Sequence, residues 1–454
     1  LRVISGGFER REGQLKQRSP ERITGVSRLS TESTYRKSIL PHGIRVVTET
    51  IPHVRSASVG IWIDAGSRDE RPELSGISHF IEHMVFKGTK RRSVREIAQS
   101  IESVGGYLNA FTGKEHTCYY ARILDEHIDL ALDVLADMVL QASFPAGELE
   151  KEKGVVIEEL KQTEDDPDDI IHDYFEKELF GSHPLGSPVI GTEQSLRRLS
   201  RKNLVDYRNH AYTAERIVVA AAGNLTHAHI VETVERILAP RTFPRAHSND
   251  PRIARSAPQP FGKTFEKEYP RSIQQAHVVL GTVGYSVQDE ERFPLMVLNT
   301  LLGDGMSSRL FQNIREKYGF AYTVYSFANL LSDSGTVGAY VGTDKAHIRK
   351  CIDLVWKEFD AVRRKPVSVR EIERTKTQLK GNMMLSLENI PNRMIRLGSS
   401  ELYYGELASL DSIIQKIDAV TPERVHAIAQ ALLQEERFCT VVFRPNGKAA
   451  VHED

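Results

Sequence analysis

Cysteine is scarce in this chain and badly spaced for pairing: Cys118, Cys351 and Cys439 are its three. An odd number, far apart and without a CxxC pair, provides neither a disulfide framework nor a cysteine zinc site, and suits a reducing compartment. Long apolar runs are missing too. No run of about 18 or more apolar residues exists, so no transmembrane helix is expected. Charge of one sign is also absent. With 60 basic and 61 acidic residues the formal net charge is -1, which argues against a nucleic-acid binder. The first 34 residues lack the apolar centre of a secretory signal. Glu9, Glu12, Glu21 and Glu32 make them too acidic for an organelle transit peptide. Residues 1–34 are therefore expected to be a disordered extension or the product of an over-long reading frame. What remains is an ordinary globular composition, 40% hydrophobic and 27% charged, with room for roughly two to four domain units.

Proline, by contrast, is concentrated. Five of the 19 prolines (240, 244, 251, 258 and 260) fall within residues 240–262, a density no helix or central strand tolerates. That stretch reads as a linker between two halves, 35–239 and 263–454. In the first half, β-branched and aromatic runs predict strands at 44–49, 56–63, 107–112, 116–124 and 217–223. Helical spacing predicts helices at 94–104, 128–140, 146–163 and 230–238, with an acidic cluster at 164–169. The second half repeats the order: a strand at 275–281, a helix at 293–302, a strand pair at 319–327 and 334–342, and a helix at 346–359. The expected fold class is α+β, two similar α/β-sandwich-like halves, each a mostly antiparallel sheet with helices packed on it.

One helix of the first half carries chemistry. His79-Phe80-Ile81-Glu82-His83 reads HxxEH, with Ile77, Phe80, Ile81, Met84 and Val85 forming an apolar stripe around it. Pro72 and Glu73 predict its first turn and Gly88 its stop. Histidines at i and i+4 share one face, so both imidazoles can reach one metal ion, with Glu82 close by. The pattern is the reverse of HExxH, the inverzincin signature. The corresponding helix of the second half, 293–302, has no ligand. A zinc that does chemistry needs a third protein ligand. The helix from Ala146 carries five glutamates, of which Glu152 and Glu159 share a face, and spacing alone does not choose among them.

The chain resembles the insulinase/pitrilysin zinc metallopeptidase family, in its mitochondrial-processing-peptidase-like bacterial branch. Three stretches carry the resemblance: Gly76 to Thr89; Asn109-Ala110-Phe111-Thr112 with Glu115-His116-Thr117 and Tyr119-Tyr120; and Glu152 to Glu159. It extends from about residue 38 to 445. The resemblance implies Zn²⁺ held by His79, His83 and Glu159, the last standing 76 positions after His83 (159 − 83) as the family's distal glutamate does. It implies Glu82 as the general base and Glu152 as a catalytic support for the ligand shell. Asn109 and Ala110 would line the strand edge on which an extended peptide docks, and Arg315 and Tyr322, seven apart, would reach the peptide from the second half.

The implied activity is that of a zinc metalloendopeptidase hydrolysing extended peptides or leader sequences with a metal-activated water. The resemblance further implies a homodimer, or a heterodimer with a homologous chain, in a bacterial cytoplasm, with an organelle matrix as the alternative setting. The competing reading is a catalytically inactive homologous subunit that binds peptides or serves assembly. Such subunits lose ligands or base, whereas His79, Glu82, His83, Glu152 and Glu159 are all present.

Overall fold

The computed structural model describes residues 34–238, 255–258 and 264–446. The expected N-terminal extension (Thr34 apart), most of the expected linker and the end of the second half, 447–454, lie outside the described residues. The first half runs β1 (Thr34–Ile39), β2 (Arg45–Thr50), β3 (Ser56–Ile63), α1 (Ile77–Val85), α2 (Val94–Glu102), β4 (Tyr107–Thr112), β5 (Thr117–Leu124) and α3 (Ile128–Gln141). It continues with α4 (Ala146–Glu164), α5 (Pro167–Phe180), α6 (Glu193–Arg198), α7 (Arg201–Ala211), β6 (Ile217–Gly223) and α8 (His227–Leu238). The second half runs β7 (Phe265–Arg271), β8 (Ala276–Val283), α9 (Arg292–Gly303), β9 (Ala321–Leu330), β10 (Gly335–Thr343), α10 (Ile348–Arg364) and α11 (Val369–Ser386). It closes with α12 (Ile390–Tyr404), α13 (Leu410–Asp418), α14 (Pro422–Leu432) and β11 (Cys439–Pro445).

The first sheet has the order β1-β2-β6-β3-β5-β4, antiparallel except for the β2–β6 pair. The second has β7-β11-β8-β10-β9, antiparallel except for β7–β11. The parallel pair occupies the same place in both, so β2, β6, β3, β5 and β4 correspond to β7, β11, β8, β10 and β9. β4 and β9 are edge strands, each paired on one side only.

One face of each sheet is covered by its own helices. Residues of α1, α2, α3, α4, α7 and α8 share a core with the first sheet. Residues of α9, α10, α11, α13 and α14 do so with the second. The other faces are covered by an exchange. Ile171, Phe175 and Leu179 of α5 pack on Val279, Val441 and Phe443 of the second sheet. Met394 and Leu397 of α12 pack on Val47, Trp62, Val218 and Ala220 of the first. Gly398 allows that approach, because a Cβ there would lie 2.2 Å from the Trp62 ring.

One element is added and one expectation is corrected. The acidic cluster at 164–169 contains the start of α5: the Asp166 side chain accepts from Asp168 N and Pro167 occupies the first helical position. The motif helix does not begin at Pro72. Pro72–Leu74 is a separate 3₁₀ turn, and α1 starts after Gly76, whose φ of 89° ends that turn.

A buried ionic cluster joins the halves. Arg68 pairs with Glu115 and forms a fork with Asp333, at 2.8 and 2.9 Å. Ser332 N donates to Glu115 at 2.9 Å. Arg255, inside the proline-rich stretch, forks onto Asp69 at 2.9 and 2.8 Å.

Candidate metal centre

Helix α1 is anchored at its start by a buried carboxylate. Glu70 accepts from Gly76 N at 2.6 Å and from Ser78 N at 2.7 Å, satisfying backbone donors that the first turn leaves free. Burial pushes the Glu70 carboxyl up to about 8. Ser78 Oγ also meets Tyr207 OH at 2.8 Å, which ties the helix to α7. Ile77, Phe80, Ile81, Met84 and Val85 bury their side chains in the core. His79, Glu82 and His83 are left half-buried on the remaining side. This division follows from a 3.6-residue period with five apolar positions out of nine.

His79 and His83, one turn apart, have ring centroids 4.7 Å from each other. Helix α4 runs alongside and brings Glu159 up to both, with Oε1 3.7 Å from His79 Nε2 and Oε2 3.3 Å from His83 Nε2. One ligand atom from each of the three lies within 4.8 Å of the others, the one such group of histidine, cysteine and acidic side chains among the described residues. His79 Nδ1 and Glu159 Oε2 are buried without a hydrogen-bond partner, the 3.3 Å contact being too poorly aligned to count as one. The two Nε2 atoms converging on the Glu159 carboxylate, whose Oε2 is unsatisfied, make a set that fits a zinc ion.

A second tier holds these groups. Glu152, two turns before Glu159 on α4, accepts from His83 Nδ1 at 2.9 Å, and Lys87 Nζ reaches its other oxygen at 2.7 Å. Glu152 is buried, and burial alone would raise its carboxyl. The hydrogen bonds from His83 and Lys87 outweigh that and hold it below the usual range. The same competition acts on His83: burial lowers it, but the contacts with Glu152 and Glu159 raise it to about 9. His79 is pushed down to about 4, first by burial and then by its neighbour His83. Two rings this close do not both carry the second proton that makes an imidazolium. Glu82 is raised by burial, an effect its hydrogen bond from Thr112 Oγ1, 2.5 Å away, opposes.

Of the other residues singled out from the sequence, Asn109 and Ala110 lie half-buried on β4, the edge strand packed beside α1. The Asn109 side chain donates to Tyr107 OH and accepts from Ala110 N, at 2.9 Å each. Arg315 lies in a π-helical turn, Phe311–Glu316, with its guanidinium 4.8 Å from the Phe311 ring. Tyr322 is exposed on β9, the counterpart of β4. No hydrogen bond or ion pair among the described contacts joins either of them to the histidine cluster. Three contributors escaped the sequence reading: Glu70, Lys87 and Thr112. Lys87 stands four residues after His83, and Thr112 shares a strand face with Ala110, so periodicity contained a signal for both.

Comparison with known proteins gives a consistent picture. Residues 45–193 match the model of Insulinase (Peptidase family M16), and residues 198–379 match that of the Peptidase M16 inactive domain. A Bacillus subtilis protein named as an uncharacterized zinc protease, YmxG, is 42% identical over 89% of this chain and 97% of its own length. An uncharacterized zinc protease of Streptomyces coelicolor is 41% identical over 90% of this chain and 89% of its own. The crystal structure of a protease from Helicobacter pylori superposes with a TM-score of 0.84 at 19% identity, covering 91% of this chain and all (100%) of that one.

Proposed function

This chain belongs to the insulinase/pitrilysin peptidase family, M16, and on that premise we propose that it is a zinc-dependent endopeptidase cleaving extended peptides, leader sequences among them. His79, His83 and Glu159 hold the metal in this reading, and the convergence of their ligand atoms within 4.8 Å is the observation that carries it. A zinc ion held there would polarise a carbonyl oxygen and would lower the pKa of a bound water to about 7. Glu82 accepts the proton of the attacking water and hands it to the departing amine. Glu152 accepts from His83 Nδ1–H, which fixes the tautomer and turns Nε2 toward Glu159, while Lys87 steadies Glu152.

The substrate docks as an added strand on the open edge of β4, its main chain held by strand hydrogen bonds in the region of Asn109 and Ala110. Arg315 and Tyr322 act from the second half as donors to the peptide, brought into reach when the chamber is complete. A second copy of the chain, or a homologous partner, completes that chamber. The relatives named above are bacterial, and a bacterial cytoplasm is the setting that goes with this reading. No helix among the described residues is long and apolar enough to cross a membrane.

The test is Glu82→Gln in the zinc-loaded chain, assayed on a quenched-fluorescence peptide library with metal content measured alongside. Turnover should fall by at least about 10³-fold with zinc still bound, in the range expected when a catalytic acid–base group is lost. Wild-type turnover in a zinc-replete Gln variant would sink the assignment.

A further inference from the structure

We propose that Thr112 is a positioning residue for peptide hydrolysis, holding the Glu82 carboxylate in register with the strand edge on which the substrate lies. The inference rests on the reading of Glu82 as the base. Thr112 Oγ1 donates to Glu82 Oε2 at 2.5 Å, and it is the one hydrogen-bond partner of that carboxylate among the described contacts.

The strand explains why this residue is the one that reaches it. Along β4 side chains alternate, so Leu108, Ala110 and Thr112 share one face while Asn109 and Phe111 share the other. Leu108 and Ala110 pack against the core that contains α1, and Phe111 packs on the opposite side with Trp62 and the α12 residues. Thr112 therefore points toward α1 from the last position of the strand. Beyond it the chain turns, Gly113 N bonding to His116 O at 2.8 Å, and Glu115 is clamped by Arg68. The hydroxyl is thus carried on a backbone that is paired on one side, anchored at its end and open on the other.

A peptide added to that open edge lies about 4.8 Å from β4. Its carbonyls then have a set distance from Thr112, and through one hydrogen bond so does the base. Without the hydroxyl, Glu82 loses this restraint and rotates among conformers of which few face the scissile bond. Substrate binding, made by the backbone of β4, is untouched. The loss should therefore appear in kcat and not in KM.

Thr112→Val keeps the β-branched shape and removes the donor; Thr112→Ala is a second donor-free variant; Thr112→Ser restores the hydroxyl. In the zinc-loaded full chain, with the best peptide of the quenched-fluorescence library, Val and Ala should lower kcat about 10- to 100-fold. KM should stay within about twofold and zinc content should be unchanged. Ser should recover at least about a third of the wild-type kcat. Undiminished kcat in both Val and Ala, an equal loss in Ser, or a rise in KM alone would overturn the proposal. Glu82→Gln, run in parallel, separates the two ideas: if it is inactive while Thr112→Val is fully active, only the role of Thr112 falls. If it turns over normally, the base assignment falls and Thr112 with it.

Discussion

Helices α1 and α9 follow equivalent strands, β3 and β8, and sit at the same place in two sheets of the same strand order. Their surroundings differ. α9 is packed against β9, α11, α13 and α14, and nine of its residues, from Phe293 to Gly303, are buried. α1 meets α4, α7 and β4, and keeps one side, with His79, Glu82 and His83, half-open. A sheet of this kind needs an apolar helix after the strand that β3 and β8 represent, and both halves supply one. Only the first leaves that helix uncovered enough for its histidines to stay half-open, and only there, among the described residues, does the neighbouring helix bring a carboxylate up to them. The frame is a structural requirement; the chemistry depends on what is left uncovered.

The outer faces invite a second comparison, α12 on the first sheet against α5 on the second. Each seam contains a glycine that permits close approach, but by different margins. A Cβ at Gly398 would lie 2.2 Å from the buried Trp62 ring, whereas one at Gly281 would lie 2.7 Å from Phe175 Cζ and Val337 O. Gly398→Ala should destabilise by about 2–4 kcal/mol and Gly281→Ala by about 1–2 kcal/mol, the cost of overpacking a filled core. Urea unfolding measures both. Equal, negligible effects would mean that the seams are looser than their contacts indicate. The contrast between the motif helices is sharpened by Glu152→Gln, which removes charge from the hydrogen bond to His83 without emptying the space. Zinc affinity should drop about 10- to 100-fold in a chelator competition, the usual effect of losing a partner behind a metal ligand. An unchanged affinity would reduce Glu152 to a packing role.

Much of this was legible because periodicity reports directly on which side of an element is buried. The strands β3 and β5, the apolar stripe of α1 and the ligand-free α9 all follow from spacing. The distal glutamate does not: six glutamates on α4 have similar local claims, and only resemblance to a family singles out Glu159. Where a helix docks is also beyond local pattern. The stripes of α5 and α12 announce that something must cover them, but nothing in them says that the covering sheet belongs to the other half. Arg255 was read as linker because proline density dominates its neighbourhood, yet its partners Asp64 and Asp69 lie nearly two hundred residues earlier. The start of α1 was misplaced for a similar reason, since its anchor, Glu70, reaches back from outside the helix. Thr112 ends the stretch whose resemblance points to Asn109 and Ala110 as substrate-docking residues, and its own contact with Glu82 emerges once α1 is packed against the strand.

The smallest expected effect concerns protons, and it separates the two halves most cleanly. His83 is raised to about 9 in the metal-free chain, burial opposing and the contacts with Glu152 and Glu159 outweighing. A group raised above its ordinary value, about 6.5 for histidine, contributes stability that is full below that value and is lost as pH rises through 9. Zinc needs the same ring neutral. Between about pH 6.5 and 8.5, binding should therefore expel close to one proton per zinc from His83, and apparent affinity should rise up to about tenfold per pH unit. His79, pushed down to about 4, is already neutral and should add nothing in this window. Helix α9 offers no histidine at all, so the equivalent helix of the second half has no such proton to release. Calorimetric titration of zinc in buffers of different ionisation enthalpy counts the protons directly. A count near zero across this window would mean that His83 is neutral in the free protein. The hydrogen bond to Glu152 would then orient the ring without charging it.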